Sequence, residues 1–584
     1  MVRATQHDKL DGDDSQANFC AIASKESLTP RYRGPRSGED FYESFQDLPL
    51  YQAVLTYLCF VLLNLLGRLQ DFLRRHHILS NFCARESSKM DGFVPLYADY
   101  ESFYTRNLYR RVRDCWNRPI TSDPNVEIDV MHRVSSDYGW TFKYTGEKLR
   151  VMNFGSYNYL GYGSPNGPWI EDCAKAIDKY GLSTCSTRAE VGTIDLHRRL
   201  EKVVAEFVGQ EDAVITAMGF ATNALNMPSI FDKDSCILSD ELNHNSLILG
   251  CRLSGASIVR FKHNNMVDLE KQLQRIIVYG RPRSHRPYKK IFIVVEGIYS
   301  MEGSIVHLPE LIALKKKYKA YLYLDEAHSI GALGKTGRGV VDYFGCDPKD
   351  IDIAMGTFTK SFGATGGYLA GKKELIDFIR ANSQAVYYGG TMPGPVVQQV
   401  LSSFEVLTGK SIPGEGDYRL AQLAWSTRYF RARCHEMGLI VYGNRDSPVV
   451  PIIINMPAKM ISFSRECLAR GLGIVVVCFP ATAILLGRAR FCISAHHSKA
   501  VLDRALAIVK ECVEGMNLNF SKMKLPDWCE AAINAPEPRR EDFRSSFTDL
   551  KPLLNGSVQL TQTPLYDKLR ESEERALFQI HETQ

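Results

Sequence analysis

Short apolar runs alternate with helix-like segments through the middle of this 584-residue chain, and this alternation limits the possible folds most. Continuous apolar strands interleaved with helices are typical of a parallel sheet covered on both faces. The sequence therefore predicts an α/β fold, with a mostly parallel sheet in a large domain over 151–400 and a smaller α/β domain over 401–530. The apolar runs are Ala213–Thr216, Ser235–Leu238, Ile291–Val295, Tyr321–Leu324 and Ile351–Met355, and the helical patterns include Leu196–Phe207 and Leu308–Tyr318.

The charge balance argues against a nucleic-acid partner. Lys and Arg number 71 against 66 Asp and Glu, a net charge of only +5, whereas a nucleic-acid surface needs clustered positive charge. The short basic segment 281–290 is predicted to be a surface loop. Asp325–His328 spells a helicase box, and Gly334-Lys335 nearby resembles the end of a phosphate loop. A phosphate loop also needs a glycine five residues before its Gly-Lys pair, but that position is occupied by Ser329. We expect no nucleic-acid binding.

Histidines raise a second alternative, a zinc site. No pair of them has the H-E-x-x-H spacing that places two ligands on one helix face, and the 15 cysteines include no C-x-x-C pair. We therefore expect no metal site. The histidines considered are His244, His328, His496 and His497.

Twenty residues without a formal charge, Leu48–Gly67, stand out near the N-terminus. As a helix they would span about 30 Å, the thickness of a bilayer core. A signal peptide is excluded because 47 polar residues precede the run. A buried core helix is the alternative, and Gln52 and Asn64 count in its favour. The pattern predicts one membrane helix, spanning or interfacial, between a polar tail (1–47) and a connector (68–150); a second polar tail covers 531–584.

Lys360 is the residue most suggestive of chemistry. It follows the apolar run Ile351–Met355, and parallel sheets bind ligands at the carboxyl ends of their strands. Hydroxyls at Thr357 and Thr359 can hold a phosphate, and Gly363 permits close backbone approach. A surface lysine needs none of these neighbours. They match the requirements of a lysine in Schiff-base linkage to pyridoxal phosphate (PLP).

Other polar residues follow neighbouring apolar runs. Asp325 ends the run Tyr321–Leu324 and can face the pyridine nitrogen of PLP, although a helix N-cap is the alternative role for an Asp there. His328 is three residues further on, and His244 follows another run and can stack on the ring. Gly219-Phe220 opens a turn into a helix over Ala221–Asn226, which suits a phosphate.

These motifs, taken together, resemble the α-oxoamine synthase family of fold-type I PLP enzymes, over about 150–515. Members condense an amino acid with an acyl-CoA and release CO₂. The closest likeness is to the lysine-bearing, membrane-bound catalytic subunits of eukaryotes, since bacterial members are shorter and soluble. The segments that carry the resemblance are Asn153–Gly161, Gly297–Gly303, Asp325–Gly331, Gly337–Gly339 and Phe479–Thr482.

The resemblance implies an aminotransferase-like fold, PLP as cofactor, and decarboxylative condensation of L-serine with a long-chain acyl-CoA to 3-ketosphinganine. It also implies a role for each site residue. These are Lys360 for covalent linkage and proton transfer, Asp325 for the pyridine nitrogen, His328 and Ser300 for the phenolic oxygen, His244 for ring stacking, Gly219, Phe220, Thr357 and Thr359 for the phosphate, and Asn158 and Arg490 for the substrate carboxylate or acyl-CoA.

Partners and location follow from the same resemblance. It implies a heterodimer with a homologous subunit that lacks the lysine, small membrane regulatory subunits, and an endoplasmic reticulum membrane with the catalytic domain facing the cytosol. Two alternatives stay open. One is another α-oxoamine synthase, of the aminolevulinate or amino-ketobutyrate type; the other is a non-catalytic scaffold subunit, against which Lys360, Asp325 and His244 argue.

Overall fold

The computed structural model describes residues 41–76, 78, 92–94, 99–137, 139, 141–167 and 169–543. The strands are β1 (Glu43–Ser44), β2 (Glu127–Val134), β3 (Lys143–Asn153), β4 (Asp212–Thr216), β5 (Ser235–Asp240), β6 (Ser257–Phe261), β7 (Lys290–Glu296), β8 (Tyr321–Asp325), β9 (Ile353–Thr357), β10 (Gly367–Gly371), β11 (Gly443–Asn444), β12 (Val449–Ile453), β13 (Leu472–Gly473), β14 (Val475–Val477) and β15 (Arg488–Cys492). The helices are α1 (Leu50–Arg75), α2 (Asp99–Asn107), α3 (Trp169–Tyr180), α4 (Asp195–Val208), α5 (Gly219–Ala224), α6 (Met227–Ile230), α7 (Asn245–Leu253), α8 (Met266–Tyr279), α9 (Leu308–Tyr318), α10 (Gly339–Phe344), α11 (Lys373–Asn382), α12 (Gln384–Tyr387), α13 (Gly394–Leu407), α14 (Glu415–Glu436), α15 (Pro457–Ala469), α16 (Lys499–Met516) and α17 (Asp527–Asn534).

The first of two compact units contains the large sheet. It comprises Pro168–Tyr299 and Ile305–Thr408, together with Phe41 and Tyr42. Seven strands run in the order β4-β10-β9-β8-β7-β5-β6. The five strands from β9 to β6 are parallel, whereas β10 is antiparallel to both β4 and β9. The prediction of a mostly parallel sheet over these apolar runs is confirmed.

Strand register aligns the carboxyl ends of the parallel strands. Glu296 at the end of β7 pairs with Asp325 at the end of β8, and Asp325 pairs with Met355 near the end of β9. Side chains such as Ile237, Val294 and Tyr323 are fully buried in the core that fixes this register. The polar residues that follow the strands therefore meet at one edge.

The second unit joins the two ends of the chain. It comprises Glu43–Gly167, Ser300–Ser304 and the residues from Gly409 onward. Its sheets are β12-β15-β14, β13-β3-β2 and the pair β1-β11. The parallel pairing of β3 with β13 makes the predicted connector, 68–150, part of the same unit as 401–530. Pairing between distant segments leaves no local pattern, so the sequence alone does not indicate this association.

Residues at the inner ends of both predicted tails make contacts with the two units. Phe41 is buried and packs on Phe344 in the first unit, and β1 pairs with β11 in the second. On the C-terminal side, the indole of Trp425 donates a hydrogen bond to the carbonyl of Ala535 at 3.0 Å. A single contact residue in a polar stretch, such as Phe41 or Ala535, carries no periodicity, so the pattern does not indicate it. The rest of the predicted tails, 1–40 and 544–584, lies outside the described residues.

Helix α1 covers the predicted membrane segment and extends beyond it. It begins after Pro49 and ends at Arg75, eight residues past the predicted limit at Gly67. The charged residues after Gly67 ended the apolar run, but most of them are arginines, which are good helix formers, so the helix continues. Among the described residues, this is the one helix long and apolar enough to cross a membrane, by length and composition.

Candidate active site

Lys360 lies in the loop directly after β9, at the edge where the parallel strands end, and its side chain is half-buried. The loop folds back on itself: the backbone N–H of Phe358 donates to the carbonyl of Gly366 at 3.0 Å. The hydroxyl of Thr357 donates to the same carbonyl at 2.9 Å. These bonds fix the backbone around the lysine.

Asp325 is buried at the end of β8 and is held on both carboxylate oxygens. The backbone N–H of Ala327 donates to Oδ1 at 2.9 Å, and the amide of Asn223 donates to Oδ2 at 2.8 Å. Asn223 is itself fixed by the hydroxyl of Tyr323 at 2.7 Å. Asp325 is followed by a turn and not by a helix, so the N-cap alternative is wrong.

His244 joins the same hydrogen-bond network. The amide of Asn223 also donates to the hydroxyl of Ser246 at 3.0 Å, and that hydroxyl lies 2.8 Å from Nδ1 of His244. Nδ1 also accepts the backbone N–H of Ser246 at 3.3 Å, which leaves the proton on Nε2. The ring is exposed at the edge, and the ring of Phe220 lies 6.1 Å away, edge-on.

Electrostatics links His244 to the two predicted catalytic charges. Partial removal from water lowers the pKa of His244, the Asp325 carboxylate opposes this effect, and the Lys360 ammonium lowers the pKa further. The imidazole is therefore neutral at physiological pH. Because the charges of Asp325 and Lys360 both act on this ring, the structure brings together the three residues on which the sequence hypothesis depends.

Glu296 is a site residue that the sequence analysis missed. Its buried carboxyl, beside Asp325 in the sheet, accepts the backbone N–H of His244 at the start of α7. Burial raises its pKa well above the ordinary range, and the Asp325 carboxylate raises it further, whereas the His244 N–H and Lys360 oppose the shift. The rule that identified Asp325, an acid at the end of a parallel strand, also identifies Glu296. Asn223 and Ser246 carry no such pattern.

Three residues predicted to hold the phosphate, Gly219, Thr357 and Thr359, lie close together. A Cβ atom at Gly219, the first residue of α5, would lie only 2.6 Å from the hydroxyl oxygen of Thr357. That hydroxyl lies 2.8 Å from the hydroxyl of Thr359. Only glycine lets the backbone approach these hydroxyls so closely. With the buried acid at Asp325 and the adjacent lysine, this donor set fits PLP. Helix α5 begins at Gly219, two residues before the predicted start.

His328 lies three residues after Asp325 and is buried, and its contact with the phenolic oxygen stays a prediction. Its neighbour Glu326 is also buried, bonded to Ser329 and to the backbone N–H of Val340 at 3.0 Å. Burial raises the pKa of Glu326 to about 7.

Among the described residues, no cluster of three or more His, Cys, Asp or Glu side chains is arranged to hold a metal ion.

The remaining predicted residues belong to the second unit. Arg490 is buried, with its guanidinium 4.8 Å from the Tyr157 ring centroid, and its Nε has no hydrogen-bond partner among the described residues. The amide of Asn158 donates to the carbonyl of Pro124 at 2.9 Å and accepts the N–H of Gly163 at 3.2 Å, so it orders its own loop. Substrate contacts of Asn158 and Arg490 stay predictions, as does the role of Ser300.

Comparison with known proteins agrees with this geometry. The aminotransferase class I and II family profile matches residues 150–509. Human serine palmitoyltransferase 3 is 51% identical over 82% of this chain and 88% of its own length. Serine palmitoyltransferase 2 of Caenorhabditis elegans is 51% identical over 82% and 86%. A solved structure described as SPT with PLP internal aldimine matches at TM-score 0.63 and 25% identity, covering 74% of this chain and all of its own.

Proposed function

This chain belongs to the class I and II aminotransferase family and, within it, to the serine palmitoyltransferases, and on that premise we propose that it is subunit 2, the catalytic subunit, of such an enzyme. The reaction condenses L-serine with palmitoyl-CoA to give 3-ketosphinganine, CoA and CO₂, the first step of sphingolipid biosynthesis. The fold is the aminotransferase-like fold of type I PLP enzymes, and PLP is the cofactor.

One observation carries the proposal: Lys360, Asp325 and His244 follow strands that end at one edge of the sheet, where hydrogen bonds through Asn223 and Ser246 join Asp325 to His244. The charges of Asp325 and Lys360 both act on the His244 ring. A scaffold subunit has no use for a buried acid held beside a lysine, because burying that charge is unfavourable. The names of the relatives favour serine as the amino acid over the aminolevulinate and amino-ketobutyrate alternatives.

The residues present would hold PLP by three attachments. Lys360 would bind its aldehyde, Asp325 its pyridine nitrogen, and Gly219, Phe220, Thr357 and Thr359 its phosphate, with His328 and Ser300 at the phenolic oxygen. Bound PLP supplies an electron sink for the carbanion that serine forms when it loses its α-proton. The hydrogen bonds from Asn223 and Ala327 orient the Asp325 side chain, so it can stabilise a positive charge opposite it.

Proton transfer falls to Lys360 in this proposal. Its Nζ, once released from the cofactor, accepts the α-proton of serine and later returns a proton to the product. His244 is neutral and carries its proton on Nε2, so it can stack against the cofactor and donate a hydrogen bond to the serine carboxylate. Glu296 holds the backbone of His244 and so orients the ring.

Arg490 is proposed to bind an anionic group of the substrates, the serine carboxylate or the acyl-CoA. Its buried guanidinium has an Nε without a hydrogen-bond partner among the described residues. A buried donor of this kind is unfavourable unless a ligand accepts from it. Asn158, whose amide orders the adjoining loop, is proposed to contact the same group.

The proposed setting is the endoplasmic reticulum membrane, with the catalytic units facing the cytosol. Helix α1 supports membrane association, because it is apolar and long enough. The proposed partners are a homologous subunit 1 without the Schiff-base lysine and small membrane regulatory subunits. These partners rest on the family resemblance of the sequence motifs alone.

Two measurements on the purified complex test the function. Labelled serine is supplied with a panel of acyl-CoAs, and mass spectrometry is expected to identify a labelled 3-ketosphinganine that carries the chain of the preferred acyl-CoA. Borohydride reduction followed by peptide mapping is expected to place the cofactor on Lys360. Exposed Lys372, beside α11 in the same unit, is the control peptide. A different condensation product, or cofactor bound elsewhere, would overturn the proposal.

A further inference from the structure

Two buried cysteines of the second unit, Cys467 and Cys512, lie side by side and are not part of the candidate active site. Cys467 is in the last turn of α15, and Cys512 is near the end of α16, 45 positions later. Both are free thiols, 0% and 3% exposed, and their sulfur atoms are 4.0 Å apart. The sulfurs of a disulfide are about 2.05 Å apart, so these two need to approach by only about 2 Å.

Polar side chains fix the spacing of α15 and α16 on both sides of this pair. At the end of α15, Nε of Arg470 donates to the carboxylate of Glu511 at 3.3 Å. Near its start, Nζ of Lys459 donates to the carbonyl of Met516 at 2.8 Å. The two cysteines lie between these bonds in both helices, so the packing that brings the thiols together is held from two sides.

The two thiols differ in their electrostatic surroundings. The S–H of Cys467 is directed at the sulfur of Cys512, and this weak hydrogen bond lowers the pKa of Cys512 and raises the pKa of Cys467. Burial raises both pKa values, and the guanidinium of Arg470 lowers both. The carboxylates of Glu466 and Glu511 raise the pKa of Cys512, which nevertheless lies below its ordinary value. Because the thiolate is the reactive form, Cys512 is suited to be the nucleophile and Cys467 the proton donor.

Ordinary packing of two small apolar side chains is the alternative explanation for the pair. Buried thiols commonly have this role, and burial then raises their pKa. Cys434 in α14 is an example from the same unit: it is fully buried, and burial raises its pKa to about 12. Cys512 differs from Cys434 because a second thiol lies against its sulfur. The pair therefore has an arrangement that packing alone does not require.

We propose that Cys467 and Cys512 are an oxidation site, at which hydrogen peroxide closes a reversible disulfide between α15 and α16. The Cys512 thiolate attacks one peroxide oxygen, the O–O bond breaks, and hydroxide leaves, so that Cys512 becomes a sulfenic acid. The Cys467 sulfur then attacks the Cys512 sulfur, the S–O bond breaks, and the departing hydroxide takes up the Cys467 proton. Overall, two thiols and one peroxide give one disulfide and two waters, and a thiol reductant reverses the change.

The disulfide closes a loop over 467–512, which contains β13, β14 and β15. A cross-link over a loop of this length stabilises the native fold by restricting the unfolded chain. We therefore expect the oxidised protein to melt about 5 °C above the reduced protein. Neither cysteine takes part in the proposed catalysis, so this chemistry does not depend on the proposed function.

Peptide mapping of the full chain in its complex tests the site without any substitution. The reduced complex is treated with hydrogen peroxide until exposed Cys185 is oxidised, and it is then denatured, alkylated and digested with trypsin without reductant. Cleavage gives peptides 466–470 and 511–522, each with one cysteine. These are expected as a linked pair, two hydrogen atoms lighter than their sum and separated by dithiothreitol. Peptide 434–445, which contains Cys434, is expected as the alkylated thiol.

Recovery of 466–470 and 511–522 as separate peptides, alkylated or oxidised, would overturn the proposal. The melting temperature gives a second measurement on the same samples. An oxidised protein that melts no higher than the reduced protein would show that the bond does not form within the native packing of α15 and α16, which also overturns the proposal. Cys467→Ser, which cannot close the bond, is expected to show no rise after the same treatment.

Substitution of each cysteine tests the two roles. Cys467→Ser keeps the nucleophile and removes the second thiol, so a sulfenic acid at Cys512 is expected to persist and to react with dimedone on peptide 511–522. Cys512→Ser removes the nucleophile, and at least about 10-fold less dimedone adduct is expected on Cys467. Cys434→Ser, at a buried position of the same unit, is the control and is expected to form the disulfide at the parent rate. Equal trapping in the two single variants would overturn the proposal.

Discussion

The edge of the large sheet and helix α1 both break the ordinary distribution of side chains, in opposite directions. The sheet edge buries acids, at Asp325, Glu296 and Glu326, where apolar residues are usual. Helix α1 exposes a stripe of leucines where charged residues are usual. Both arrangements are unfavourable in a soluble protein that binds nothing.

The two regions differ in the property they serve: the sheet edge is suited to catalysis, and helix α1 is suited to membrane attachment. The buried acids are satisfied by hydrogen bonds and by a nearby lysine, so that edge is organised around a bound charged group. The exposed leucines form a largely apolar stripe, so they favour an apolar phase. Changes at one region should therefore alter catalysis without altering membrane attachment, and changes at the other should do the reverse.

Replacing Lys360 is expected to change catalytic activity more than any other substitution that distinguishes the two regions. Lys360→Ala is expected to lower kcat by about 10⁴-fold, because it removes both the covalent attachment and the proton-transfer group. Sedimentation with membranes should not change. The control is Lys372→Ala, at an exposed position in the same unit. A variant that retains near-normal turnover, or leaves the membrane, would contradict the separation.

Removing the buried negative charge is expected to be nearly as severe. Asp325→Asn keeps the shape of the side chain but turns an NH₂ group toward one of the two donors, Asn223 or the N–H of Ala327. We expect kcat/KM to fall by about 10³-fold, from loss of preorganised electrostatic stabilisation. Steady-state kinetics measures this, with the PLP content quantified in parallel. Unchanged kinetics at full PLP content would exclude the proposed role of Asp325.

Charged substitutions on the apolar stripe of α1 should weaken membrane attachment and leave catalysis unchanged. Leu58→Glu with Leu62→Glu removes two leucines from lipid, at roughly 1.5–3 kcal/mol each, so partition into vesicles should fall by at least about 10²-fold. Turnover per bound PLP should be retained with detergent-solubilised substrate. Val191→Glu with Val278→Glu changes two exposed apolar residues of the first unit and is the matched control. Equal losses in both pairs would indicate a general solubility effect.

The buried acid beside Asp325 should make stability depend on pH. Glu326 has a pKa of about 7 when folded and an ordinary value near 4.5, so the folded state binds more protons between these limits and its stability falls as pH rises through them. Glu326→Gln removes this effect. Relative to the parent, the variant should gain about 3 kcal/mol in free energy of unfolding between pH 4.5 and 7.5. Urea unfolding at both pH values measures the gain, and an equal difference at each pH contradicts it.

The smallest expected effect concerns the attachment of α1. Thr56→Val preserves shape but removes the hydroxyl that accepts from Asn455, which should weaken docking of the helix by about 1 kcal/mol. Hydrogen exchange of the α1 amides measures the loss. Thr408→Val, which removes a hydroxyl bonded only within its own helix turn, is the comparison. Equal exchange in the two variants would mean that the Asn455 bond does not hold the helix.

The sequence predicted the parts of the site that follow local rules. Lys360, Asp325 and His244 each come directly after an apolar strand, and parallel strands bring such positions together. Asn223 and Ser246, which bond these residues into a network, lie inside or at the start of helices and look like ordinary polar residues. Their positions depend on tertiary packing, so a single sequence does not reveal them.

The fold, like the site, could be predicted only where local sequence patterns determine it. The large sheet follows from continuous apolar runs, but the second unit depends on the pairing of β3 with β13, which no local pattern indicates. The apolar run at 48–67 predicted a membrane helix. Which face would be exposed could not be predicted, because the run has apolar residues on all sides and only Gln52 and Asn64 differ.

The bond between Thr56 and Asn455 also has a consequence for synthesis, because it joins residues 399 positions apart. At about 5–20 residues per second, a ribosome needs roughly 20–80 s to make Asn455 after it has made Thr56. During that interval the leucine stripe of α1 is complete, whereas the unit that binds its polar face does not yet exist. Under the proposed membrane association, a lipid surface near the ribosome is therefore available to α1 before the folded unit is.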